Sequence, residues 1–67
     1  MKERIKLVRK TEKLTMQEFA ASIGSTSASV SRYESGERIP SNSVLMMISE
    51  KFGVRLDWLK TGEGEMY

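Results

Sequence analysis

TMQEFAASIGSTSASVSRYESG, residues 15–36, is the stretch whose reading decides the fold. It opens on Thr15-Met16-Gln17-Glu18, the spacing of a capping box. The Thr15 hydroxyl is placed to accept from the Glu18 backbone N–H, while the Glu18 carboxylate reaches back to the N–H of Thr15. Phe19, Ala20 and Ile23 then recur on one helical face, and Ala20 is small enough to let a second helix cross closely. Gly24 supplies the left-handed position that stops a helix. Ser25 and Thr26 can each cap the next helix, with Thr26 preferred. That helix runs from Ser27 to Ser35, and Gly36 ends it.

At about 100° per residue, Val30 and Tyr33 share one side of this second helix, while Ser27, Ala28, Ser31 and Arg32 share the other. The first side is a core face. The second is small, polar and ends in one long forked donor. Two short helices joined by a tight turn, the second with such an outward face, form a helix-turn-helix unit.

The flanking segments read as its scaffold. Residues 2–11 predict a first helix, with Ile5 and Val8 on its core stripe and Leu7 off it. Thr11 to Lys13 form a polar connector, and Leu14 precedes the capping box. After Gly36, Glu37-Arg38-Ile39 is a loop, and Pro40 biases Ile39 toward extended backbone. Ser41 caps a fourth helix from Asn42 to Phe52, with Leu45, Ile48 and Phe52 inward and Val44 and Met47 beside them. Gly53 ends it. A last helix spans Leu56 to Thr61 and docks through Val54, Trp58 and Leu59. Residues 63–67 read as a frayed tail. The expectation is one all-α domain over residues 1–67, a compact five-helix cluster. Its expected core is Ile5, Val8, Leu14, Phe19, Ala20, Ile23, Val30, Tyr33, Leu45, Ile48, Phe52, Val54, Trp58 and Leu59.

Composition narrows the function. The 67 residues contain no cysteine and no histidine. Disulfide stapling and the usual zinc ligand sets are therefore excluded, and a cysteine-free chain fits a reducing cytosol. No metal, cofactor or catalytic residue is expected, because there is neither a phosphate-cradling glycine loop nor a nucleophile–base pair. The glycines at 24, 36, 53 and 62 stand where helices stop. No apolar run approaches the roughly 18 residues of a membrane span, and no signal-peptide core follows the charged N-terminus, so a cytoplasmic location is expected. Net charge is +2 and is unevenly spread. Residues 1–38 hold eight Lys/Arg against five Glu, and residues 39–67 hold three against four acidic residues. A basic half containing the outward helix suits a polyanion, although an ordinary solvated surface explains the same balance.

Leu14-Thr15, Ala20 and Gly24, then Val30-Ser31-Arg32-Tyr33-Glu34 and Gly36, resemble the Cro/CI-type (XRE-like, lambda-repressor-like) helix-turn-helix domains of phage and bacterial repressors. Arg4-Ile5-Lys6, Pro40-Ser41, Leu45, Ile48, Phe52-Gly53-Val54, Leu56 to Leu59 and Thr61-Gly62 extend the likeness over nearly the whole chain. The resemblance implies a DNA-binding transcriptional regulator that inserts helix 3 into the major groove. It implies base contacts from Ser27, Ala28, Ser29 and Arg32. It implies phosphate contacts from Gln17, Thr26, Ser35 and Arg38. It also implies a structural ion pair between Arg9 of helix 1 and Glu34 of helix 3.

The residue chemistry allows this reading and competing ones. The Arg32 fork matches guanine O6 and N7 but suits a phosphate equally. Ser27 and Ser29 can meet a base, a phosphate or a capping N–H. Ala28 can touch a thymine methyl or simply permit close approach. Met16 and Ser27 stand where the family often has glutamine, and Glu37 stands where a basic or amide residue is common. One reading helix spans few base pairs, so the expectation is a homodimer on a palindromic double-stranded operator, with helix 5, Val44 and Met47 as candidate contact residues. The alternative is a modulator on the same fold, antitoxin-like, that acts through a partner protein.

Overall fold

The computed structural model describes residues 1–67 and contains five helices and no strand. They are α1 (Lys2–Thr11), α2 (Met16–Ser22), α3 (Ser27–Ser35), α4 (Asn42–Phe52) and α5 (Leu56–Thr61). Local chemistry explains most boundaries. The Thr15 hydroxyl accepts from the Glu18 N–H at 3.1 Å, and Glu18 Oε1 accepts from the Thr15 N–H at 2.9 Å, completing the capping box of α2. Thr26 caps α3 by accepting from the Ser29 N–H, and Ser41 caps α4 by accepting from the Val44 N–H.

The first two helices end by the same device with different residues. At the end of α2, Gly24 takes φ +66°, and the Ser25 N–H donates back to the Ala20 carbonyl at 2.8 Å. At the end of α1, Lys13 takes φ +58°, and the Leu14 N–H donates to the Arg9 carbonyl at 3.1 Å. Both are Schellman stops, but the second is built without glycine. A lysine held there carries the steric cost of its Cβ, roughly 1–2 kcal/mol.

α1 and α2 both pack on α3, and α4 packs on α5. Ile5, Val8, Phe19, Val30, Ile48 and Leu59 are fully enclosed. Full burial of each such side chain contributes about 1.5–3 kcal/mol of transfer free energy. Phe19 stacks on Phe52, their ring centroids 5.1 Å apart and their planes 5° from parallel, joining α2 to α4. Arg4 ties the first helix to the last: its Nε donates to the Leu59 carbonyl at 3.0 Å and its Nη2 to the Lys60 carbonyl at 3.1 Å. These are carbonyls of the last turn of α5, which no intrahelical N–H reaches.

Three expectations need correction. Leu14, Phe52 and Trp58 are half-buried and lie against the core rather than within it. Pro40, absent from the expected core, is buried. Residues 63–67 do not fray: the Met66 carbonyl accepts from the Arg55 N–H at 2.8 Å, Met66 packs on the core, and the Tyr67 hydroxyl donates to Glu12 Oε2 at 2.9 Å. The tail carries one apolar residue and one aromatic hydroxyl, and both find partners. No helix is long and apolar enough to cross a membrane.

Candidate nucleic-acid interface

The outward face of α3 is set by what holds its inward face. Val30 and Tyr33 are buried. Behind them Arg9 Nε donates to Glu34 Oε2 at 2.7 Å and Arg9 Nη2 donates to Glu34 Oε1 at 3.0 Å. The third arm, Arg9 Nη1, donates to the Leu14 carbonyl at 3.1 Å. One guanidinium therefore joins α1, the α1–α2 connector and α3. The hydrogen bonds that Arg9 donates to Glu34, together with the carboxylate's charge, hold the guanidinium protonated beyond its ordinary range, against the effect of burial. With both partners so anchored, α3 cannot rotate to hide its other side.

That other side is open. Ser27, Ala28, Ser31 and Arg32 are exposed, and Ser29 is half-buried. The Thr26 hydroxyl donates to Ser29 Oγ at 3.1 Å while accepting from the Ser29 N–H. Ser35 is similarly occupied: its hydroxyl donates to the Arg32 carbonyl at 3.1 Å and accepts from the Glu37 N–H at 3.3 Å. Thr26 and Ser35 thus shape the two ends of α3. Gln17 stands exposed in the first turn of α2. Met16 beside it turns inward, half-buried against the core, which accounts for an apolar residue at that position.

The loop after α3 is folded over the helix end. The Arg38 N–H donates to the Arg32 carbonyl at 3.2 Å, and the exposed Arg38 side chain has no acidic partner. Arg32 Nε lies 3.6 Å from Glu37 Oε2, in a solvent-exposed bridge. Glu37 therefore sits beside the one long side chain of the outward face of α3, a contact that no helical spacing announces. Sequence reasoning also gave no role to Lys2, whose side chain lies along Gly36 at the same end of α3.

The helix-turn-helix family model matches residues 5–59. A Bacillus subtilis (strain 168) protein named as an uncharacterized HTH-type transcriptional regulator, YqaE, is 41% identical over 61 residues, covering 91% of this chain and 53% of the relative. An uncharacterized HTH-type transcriptional regulator of Haemophilus influenzae (strain ATCC 51907 / DSM 11121 / KW20 / Rd) is 44% identical over 46 residues, covering 69% of this chain and 19% of that protein. The chain thus spans about half of the first relative and a fifth of the second. Among solved structures, the P22 c2 repressor in complex with synthetic operator 9T superposes with a TM-score of 0.85 at 26% identity, covering 92% of this chain and 94% of that one. The solution structure of the P22 c2 repressor DNA-binding domain superposes at 0.83 with 24% identity, over 98% of this chain and 87% of that one, a likeness of fold. Enclosed inward face, capped turn and matched family model agree, and this chain belongs to the Cro/CI (XRE) type of the helix-turn-helix family.

Proposed function

We propose that this chain binds double-stranded DNA as a transcriptional regulator, with α3 in the major groove. The observation that carries the reading is the exposed Ser27–Ala28–Ser31–Arg32 face on a helix locked from behind by Arg9 and Glu34. The likeness to a repressor solved with an operator supports it. Ser27, Ala28, Ser29 and Arg32 meet base edges, with Arg32 the main source of discrimination. Gln17 and Arg38 grip phosphates, while Thr26 and Ser35 serve by fixing the backbone on either side. The protein acts as a homodimer on a palindromic site, because one short helix reads too few base pairs to specify an operator alone. Selection of bound duplexes from a random pool tests this. A recovered palindrome supports the reading, and no enrichment of any sequence contradicts it.

A second reading has its own observation. Met46 and Met47 on α4 are 50% and 45% exposed, and an adjacent methionine pair suits an adaptable protein contact. On that reading the chain is a modulator that acts through a partner protein. The same selection separates the two readings, since a pure modulator enriches no duplex.

A further inference from the structure

A cavity of about 290 Å³ opens between the start of α1 and the loop after α3, lined by Met1, Lys2, Glu3, Tyr33, Gly36, Arg38 and Ile39. Its size is at the lower edge of the roughly 300–1,000 Å³ typical of ligand sites, which suits one small group. We propose that this cavity is a phosphate-binding site, in which Lys2 and Arg38 supply charge and the Tyr33 hydroxyl supplies a neutral donor.

Three observations converge on it. Tyr33 is only 6% exposed and lines the cavity, and its hydroxyl has no hydrogen-bond partner within the chain. No side-chain oxygen sealed from solvent lacks a partner, so this unpartnered hydroxyl keeps some access to solvent. The Lys2 side chain runs along Gly36, with Cδ 3.0 Å and Nζ 3.6 Å from where a Cβ on that residue would stand. Gly36 has φ +84°, so the absence of a side chain there serves both the turn and the path of Lys2. Finally, neither Lys2 nor Arg38 is in an ion pair, whereas Glu3, the acidic lining residue, is already 3.7 Å from the Met1 amino group.

The group recognised is a phosphate, from the duplex backbone or free in solution. The backbone arm rests on the DNA-binding reading above, since the cavity flanks the C-terminal end of α3. Random-sequence duplex is titrated against the wild type, Lys2→Ala and Tyr33→Phe at several salt concentrations. A backbone contact lowers the salt slope of Lys2→Ala by about one. Tyr33→Phe weakens binding at every salt concentration but keeps the slope, because a neutral donor releases no counterion. Inorganic phosphate, followed by the amide shifts of Lys2, Tyr33 and Gly36, forms the second arm. Shifts there with duplex affinities equal to wild type assign the site to a free phosphate. Unchanged duplex binding in both variants, together with no phosphate-induced shift, overturns the proposal. A wild type that binds no duplex contradicts the DNA reading instead, and the phosphate titration then decides the cavity alone.

Discussion

Arg9 and Glu34, on helices α1 and α3, meet through two parallel hydrogen bonds of 2.7 and 3.0 Å, with side-chain exposures of 12% and 4%. Such a pair contributes modestly when intact and is costly when half is removed, because the survivor is left charged in a place largely shielded from water. Glu34→Ala is expected to lower unfolding stability by about 3–5 kcal/mol. Arg9→Met combined with Glu34→Leu is expected to recover much of that loss, since no charge remains unpaired. Urea denaturation of the two variants checks this. Equal midpoints for wild type and Glu34→Ala would show that the pair does not hold α3.

The two Schellman stops give a sharper test, because only one has the residue that its geometry favours. Lys13 is exposed, and its φ of +58° is easy for glycine alone. Lys13→Gly is expected to raise stability by up to about 1 kcal/mol, the relief of backbone strain offset by the added freedom of the unfolded chain. A lower melting temperature would mean that the lysine side chain earns its place by a contact.

Thr26 separates a capping role from a phosphate role. Thr26→Ala is expected to cost about 1 kcal/mol of stability through the lost cap, with the salt slope of duplex binding unchanged. Thermal melts and binding isotherms on one preparation decide it. An unchanged melt with weakened binding would place the hydroxyl on the DNA.

The docked tail predicts a pH dependence. Burial, and then the hydrogen bond and charge of Glu12, hold the Tyr67 phenol above its ordinary value. Its contribution is complete below about pH 10, the unfolded value, and is lost as pH rises through the higher folded value. Absorbance titration of the phenols checks the direction. Glu12→Gln is expected to bring the Tyr67 midpoint down, and an unchanged midpoint would show that the carboxylate does not act on it.

Helix positions were legible in the sequence wherever a side chain announces its own backbone role. Thr15 with Glu18, Thr26, Ser41 and the glycines after α2, α3 and α4 did so. The α1 stop was legible only as a polar connector, because Lys13 adopts a glycine conformation without being one. The docking of the tail is not legible in the sequence, since its partners Arg55 and Glu12 lie outside it and no local pattern joins them. Leu14, Phe52 and Trp58 are apolar and well spaced, yet pattern does not reveal that a domain this small leaves its outer core half-covered. At the interface the outward face of α3 followed from periodicity. The Glu37 contact with Arg32, and the use of the Thr26 and Ser35 hydroxyls within the chain, depend on how the turns fold.

The most direct test of the central account is the specificity ratio of Arg32→Ala. Affinity is measured for a selected duplex and for its scrambled counterpart, with wild type and variant at one salt concentration. If Arg32 on the outward face of α3 reads a base, the variant stays folded and its ratio falls by about 1–3 kcal/mol, the worth of a bidentate guanine contact. A ratio equal to wild type, with both affinities lowered alike, would contradict base reading by α3 and leave Arg32 as a phosphate contact.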